Sequence, residues 1–96
     1  MTTLIIDSWG HKRSEGKNLG IMFRYAKKRG GVKRLEVTEL EDQEARVVCF
    51  YLGGWKAVTT FSSFSHACDW ARARSALPGR SWFSGCEVLI HHKEKP

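Results

Sequence analysis

Between His11 and Arg34 the chain carries Lys12, Arg13, Lys17, Arg24, Lys27, Lys28, Arg29, Lys33 and Arg34 against a single acid, Glu15. Cations at this density neutralise phosphates or an acidic protein face. Aromatic residues lie among them: Trp9 precedes His11-Lys12-Arg13, and Phe23 and Tyr25 flank Arg24. Flat rings beside cations can stack unpaired bases at ~1–3 kcal/mol each while the backbone is held electrostatically. The competing reading is bland. In a regular strand Phe23 and Tyr25 point away from Arg24, so the rings belong to a core and the cations to a solvated surface. Arg29-Gly30-Gly31 matches one Arg-Gly-Gly unit, but a tight turn explains its glycines equally well.

A second candidate patch is Trp82-Phe83, which follows Pro78-Gly79-Arg80 in a turn-rich stretch. Trp and Arg are enriched among residues that anchor interfaces, so Arg80, Trp82 and Phe83 form a candidate contact surface. The alternative is that Trp82 and Phe83 fold back to close the core. Cys49, Cys68 and Cys86 are odd in number and widely spaced, which reads as buried free thiols rather than a disulfide framework. His66 and Cys68 stand two apart on an expected helix and do not share a face. No Cys-x-x-Cys pair, nucleophile elbow, phosphate loop or paired-carboxylate pattern occurs. The expectation is therefore a non-catalytic protein without metal or cofactor.

The elements that must position these residues follow from periodicity. Thr2–Trp9 alternates as a first strand, and His11–Asn18 reads as a loop. Leu19–Arg29 reads as a second strand, with Ile21, Phe23 and Tyr25 on one face and Gly30-Gly31 as a hairpin turn. Val32–Leu40 reads as a third strand, with helix as the alternative over residues 33–44. Glu41–Glu44 is a polar turn, and Arg46–Leu52, the most apolar stretch, is a central strand. Gly53-Gly54 marks a second hairpin into Trp55–Thr60. Phe64, Ala67, Cys68 and Ala71 form a helical stripe over about residues 63–76, closed by Leu77-Pro78-Gly79. Cys86–His91 alternates as a last strand, followed by a charged tail over 92–96 expected to fray. The expected fold class is α+β: one domain over 1–96, with an antiparallel sheet of about five to six strands and one helix on one face.

With 96 residues there is room for one core, and no apolar run reaches the ~18–20 residues of a membrane-spanning helix. The opening Met1-Thr2-Thr3-Leu4-Ile5-Ile6-Asp7 shows no secretory leader, so a cytoplasmic location is expected. The net charge of +6 is unevenly spread, since Glu36, Glu39, Glu41, Asp42 and Glu44 follow the basic run without an intervening base. A basic region and a separate acidic edge are expected. Two functional classes follow. In the first the chain binds nucleic acid, or a nucleic-acid-processing complex, through the nine cations, with Trp9 and Tyr25 as stacking rings. In the second it is a stoichiometric inhibitor or adaptor that contacts an acidic or nucleic-acid-binding protein through Trp82, Phe83, Arg80 and part of the basic run. The analogy there is to the size class of phage and mobile-element accessory proteins that act on a host or defence enzyme. Either protein is a monomer or a homodimer by edge pairing.

Overall fold

The computed structural model describes residues 1–79 and 81–94. The chain forms β1 (Thr3–Ile6), β2 (Lys12–Gly16), α1 (Gly20–Lys28), β3 (Val32–Glu39), β4 (Ala45–Tyr51), β5 (Lys56–Phe61), α2 (Phe64–Ser75) and β6 (Glu87–His91). The six strands make one sheet in the order β2-β1-β5-β4-β3-β6. No helix among the described residues is long and apolar enough to cross a membrane.

The α+β class stands, but the sheet is mixed and carries two helices rather than one. The first correction concerns Leu19–Arg29, which is helix α1 and not a strand. Alternation of Ile21, Phe23 and Tyr25 fits a strand, but Met22 and Ala26, four apart and fully buried, fit one helical face. Asn18 Oδ1 accepts from the Gly20 N–H at 2.8 Å and satisfies a free donor of the first turn. Lys27 and Lys28 occupy the last turn, where the helix dipole favours cations. Gly30 and Gly31, with φ of +84° and +123°, do not turn a hairpin; they end α1 and lead into β3. The second correction is β2, where a loop was expected.

The third correction is the parallel pairing of β6 with β3. Strands β3, β4 and β5 form an antiparallel meander, so β5 and β3 run the same way. Helix α2 then carries the chain from β5 across the sheet face, and a helical crossover returns the next strand parallel to the one it left. Helix α1 does the same between β2 and β3. Ser63 caps α2, its Oγ accepting from the His66 N–H at 3.1 Å.

Both helices pack on one face. There the sheet presents the cross-strand rows Thr3–Thr59–Val47–Val37 and Ile5–Ala57–Cys49–Leu35, all buried. The Tyr51 hydroxyl, also buried, donates to the Met22 carbonyl at 2.7 Å and ties β4 to α1. Phe23, Trp70 and Phe83 fill the seam between the helices, with Phe23 and Phe83 edge to face at 5.6 Å. The other sheet face carries no helix. Leu4, Ile6, Val48, Phe50 and Val58 alternate there with Arg34, Arg46 and Lys56, whose aliphatic stems shield apolar surface. Strand β6 is not followed by a frayed end as far as residue 94. His92 packs edge to face on Phe64 at 5.4 Å, and the Lys93 N–H donates to Glu39. The rest of the expected tail, Lys95 and Pro96, lies outside the described residues.

Candidate functional site

Strand β2 starts, helix α1 finishes and strand β3 starts at one end of the sheet. The topology therefore collects Lys12 and Arg13, Lys28 and Arg29, and Lys33 and Arg34 at that end. Lys17 lies beyond the far end of β2, because Gly16 pairs with Thr3. Arg24 and Lys27 are exposed on the outer side of α1, turned away from the buried Met22–Ala26 face. The acidic residues Glu39, Glu41, Asp42 and Glu44 fall at the opposite end of the β3–β4 hairpin.

The β1–β2 turn is organised by Asp7, whose residue is 3% exposed. Its Oδ1 accepts from the N–H groups of His11 at 2.9 Å and Trp9 at 3.0 Å. Arg13 Nη1 stands 3.7 Å from its Oδ2. The His11 N–H above all, then the Trp9 N–H and the charge of Arg13, hold this carboxyl below the usual carboxylate range against the opposing effect of burial. The turn leaves Trp9 at its tip, 79% exposed.

Next to this turn lies a stack of rings and cations. Tyr25 of α1 stacks on Trp55 at 6.1 Å and 20°. Arg29 lies 4.3 Å over the Trp55 ring, Arg13 lies 5.8 Å over it, and the Lys28 ammonium sits 5.1 Å over Tyr25. A helix turns ~100° per residue, so Tyr25 and Phe23 diverge by about 160°. Phe23 enters the inter-helix seam and Tyr25 reaches the sheet end. Tyr25 is thus engaged within the protein rather than presented as an open ring. Trp55 was not singled out by the sequence reading. The signal was its place directly after Gly53-Gly54, whose φ values of +89° and +94° turn the β4–β5 hairpin at this end.

A guanidinium stacked on a ring keeps its charge and leaves its in-plane N–H donors free. Lys28 and Arg29 form no ion pair among the described residues, and the buried Arg29 Nε has no hydrogen-bond partner there. Arg34 differs. It donates to Glu36 at 2.7 Å and lies 4.0 Å over Phe50 on the helix-free face. That bond from Arg34, with a second contact from His91, holds the Glu36 carboxyl below its ordinary value. Lys12 pairs with Glu15 at 3.2 Å in the open.

The Trp82-Phe83 patch divides. Phe83 is 4% exposed and belongs to the core, which corrects its place as a contact residue, whereas Trp82 is 47% exposed. Arg80 lies outside the described residues. The Trp82 carbonyl accepts from Val32 N–H at 2.9 Å, and Leu52 N–H donates to the Gly31 carbonyl at 3.1 Å. Trp82 and the half-exposed Leu52 therefore flank Gly31 and form an apolar rim beside the cations.

No protein family, characterised protein or solved structure matches this chain. Its chemistry must be read from its own residues. Cys49, Cys68 and Cys86 are free and buried, and burial pushes all three thiols above their usual range, which makes the thiolate scarce at neutral pH. Among the described residues no three His, Cys, Asp or Glu side chains converge as a metal site would need. The arrangement at the basic end suits electrostatic and stacking recognition of an anion-bearing partner.

Proposed function

We propose that this protein acts stoichiometrically, without catalysis, by binding nucleic acid through the basic end of its sheet. The observation that carries this reading is the Lys28–Tyr25–Trp55–Arg29 stack beside the exposed Trp9. Cations parked on rings rather than on carboxylates remain available to phosphates. Their positions are already ordered, which lowers the entropy lost when a strand docks. Trp9 is the ring free to take a base. Single-stranded nucleic acid is the preferred form, because a duplex offers no open base face to one tryptophan.

The experiment is an anisotropy titration with labelled single- and double-stranded DNA and RNA across a range of salt. Affinity for a single strand should fall linearly on a log–log plot with a slope near about −0.7 per phosphate neutralised. Binding that vanishes below physiological salt for every nucleic acid would refute the proposal. In that case the favoured reading is an acidic protein partner, such as a nucleic-acid-processing enzyme that this chain inhibits. The specific support for that second reading is the Trp82–Leu52 rim, an apolar anchor of the kind that interfaces use.

A further inference from the structure

The two edges of the sheet are guarded differently. At one edge, β2 reads Lys-Arg-Ser-Glu-Gly, and its pairing with β1 shifts register between Ile5 and Ile6. Charges and a bulge are features that keep an edge strand from pairing with another chain. At the other edge, β6 reads Glu-Val-Leu-Ile-His and pairs with β3 in unbroken register. It has three consecutive apolar residues, no proline and no bulge. As far as residue 94, the chain leaving β6 does not fold back to cover this edge, because Lys93 binds Glu39 and Glu41 across the end of β3. As an edge strand, β6 turns the N–H and C=O groups of alternate residues outward without a partner among the described residues.

The residue pattern of β6 is complementary to itself. If a second β6 runs antiparallel to the first and is centred on Leu89, Glu87 stands opposite His91 of the other copy, twice. Val88 stands opposite Ile90, twice, and Leu89 opposite Leu89. Opposite-charge and β-branched pairs at facing positions are the combinations that stabilise antiparallel strands. Glu87 has no ion-pair partner within its own chain among the described residues. Shifting the centre to Val88 or Ile90 sets Glu87 or His91 against Leu89, so one register is selected. Val88 and Ile90 also line an open 440 Å³ groove with Arg72, Ser75 and Ala76 of the α2 side. Paired residues of an antiparallel ladder share a face, so the grooves of the two copies become continuous over the seam.

We infer that β6 is a self-association edge: two copies of this chain pair antiparallel through Glu87–His91, centred on Leu89, and join their sheets into one. The seam is short and ranks with small, weak interfaces, so the dimer population rises with protein concentration. It does not depend on the nucleic-acid reading, since β6 and the stacked cations occupy separate parts of the sheet.

The test is sedimentation equilibrium of the full chain up to millimolar concentration, with two substitutions at exposed positions. Wild type should pass from monomer to dimer. Glu87→Lys and His91→Glu should each remain monomeric while keeping the wild-type circular dichroism spectrum, and Glu87→Lys should keep the wild-type melting temperature as well. His91 Nε2 lies 3.1 Å from Glu36 Oε1 in the same chain, so His91→Glu gives up that contact and should lower the melting temperature modestly without unfolding a strand that its backbone ladder to β3 holds. Mixing the two variants should restore dimers. The lysine introduced in one variant then faces the glutamate introduced in the other, while the unaltered Glu87 and His91 face each other at the second pair. A wild-type monomer at every concentration would overturn the inference. So would a dimer indifferent to both substitutions, or a mixture that stays monomeric.

Discussion

The two ends of the β3–β4 hairpin treat charge in opposite ways. At the acidic end, Lys93 serves Glu39 through its backbone and Glu41 through its ammonium, so carboxylates are answered from within the chain. At the basic end, Arg29 and Lys28 rest on Trp55 and Tyr25 and meet no carboxylate among the described residues. A carboxylate cancels a cation's field; an aromatic face only holds it in place. At the acidic end Lys93 neutralises Glu41, whereas at the basic end Lys28 and Arg29 keep their charge although Lys12, Arg13 and Arg34 nearby are paired.

The strongest way to break this comparison is charge reversal at Lys12, Lys28 and Lys33 together. All three are exposed, so the melting temperature should hold while single-strand affinity falls by about 100-fold or more in anisotropy titrations at low salt. Reversing Glu41, Asp42 and Glu44 should leave or raise affinity, and an equal loss from both triples would abolish the distinction.

Trp55→Ala comes next, because it removes the ring on which Tyr25, Arg29 and Arg13 rest. Trp55 is half-buried, so the cost in urea unfolding should be about 2–3 kcal/mol, under the ~3–5 of a fully buried ring. Affinity should also drop as the cations lose their fixed positions. Trp9→Ala separates the two roles: at 79% exposure it should leave stability unchanged and weaken single-strand binding by about 1–3 kcal/mol.

A pH titration sharpens the account of the turn that presents Trp9. The Asp7 carboxyl is lowered in the folded state, so its contribution is present above the ordinary carboxylate value near ~3.9 and is lost as pH falls through the lower folded value. Wild type should lose stability below about pH 4. Asp7→Asn, which keeps an acceptor oxygen but not the charge facing Arg13, should lose less over the same interval. The smallest effect belongs to the acidic end: Lys93→Ala breaks an exposed ion pair and should cost no more than ~1 kcal/mol.

The β4–β5 hairpin and helix α2 were legible in the residues because their patterns admit one period, whereas β3 was preferred over a helical alternative because Leu35 and Val37 stand two apart. The helical stripe Phe64-Ala67-Cys68-Ala71 and the Gly53-Gly54 turn have no competing reading of similar quality. Leu19–Arg29 did have one, since its apolar residues satisfy both the two-residue and the four-residue repeat. The misassignment there carried over to the site. Read as a strand, the segment placed Phe23 and Tyr25 on one face, when in fact one fills the inter-helix seam and the other supports Trp55.

The amino-acid sequence by itself determined the surplus of cations, their crowding between residues 12 and 34, the acidic run that follows, the burial of the cysteines and the mixture of strand with helix. Those properties rest on composition and near-neighbour periodicity. Only the tertiary structure decided that β6 returns parallel to β3, that Trp55 meets Tyr25 and Arg29, and that Phe83 is core while Trp82 is not. Each depends on where two chain-crossing helices set segments far apart in sequence, and contacts of that kind follow from packing the whole sheet rather than from any local preference.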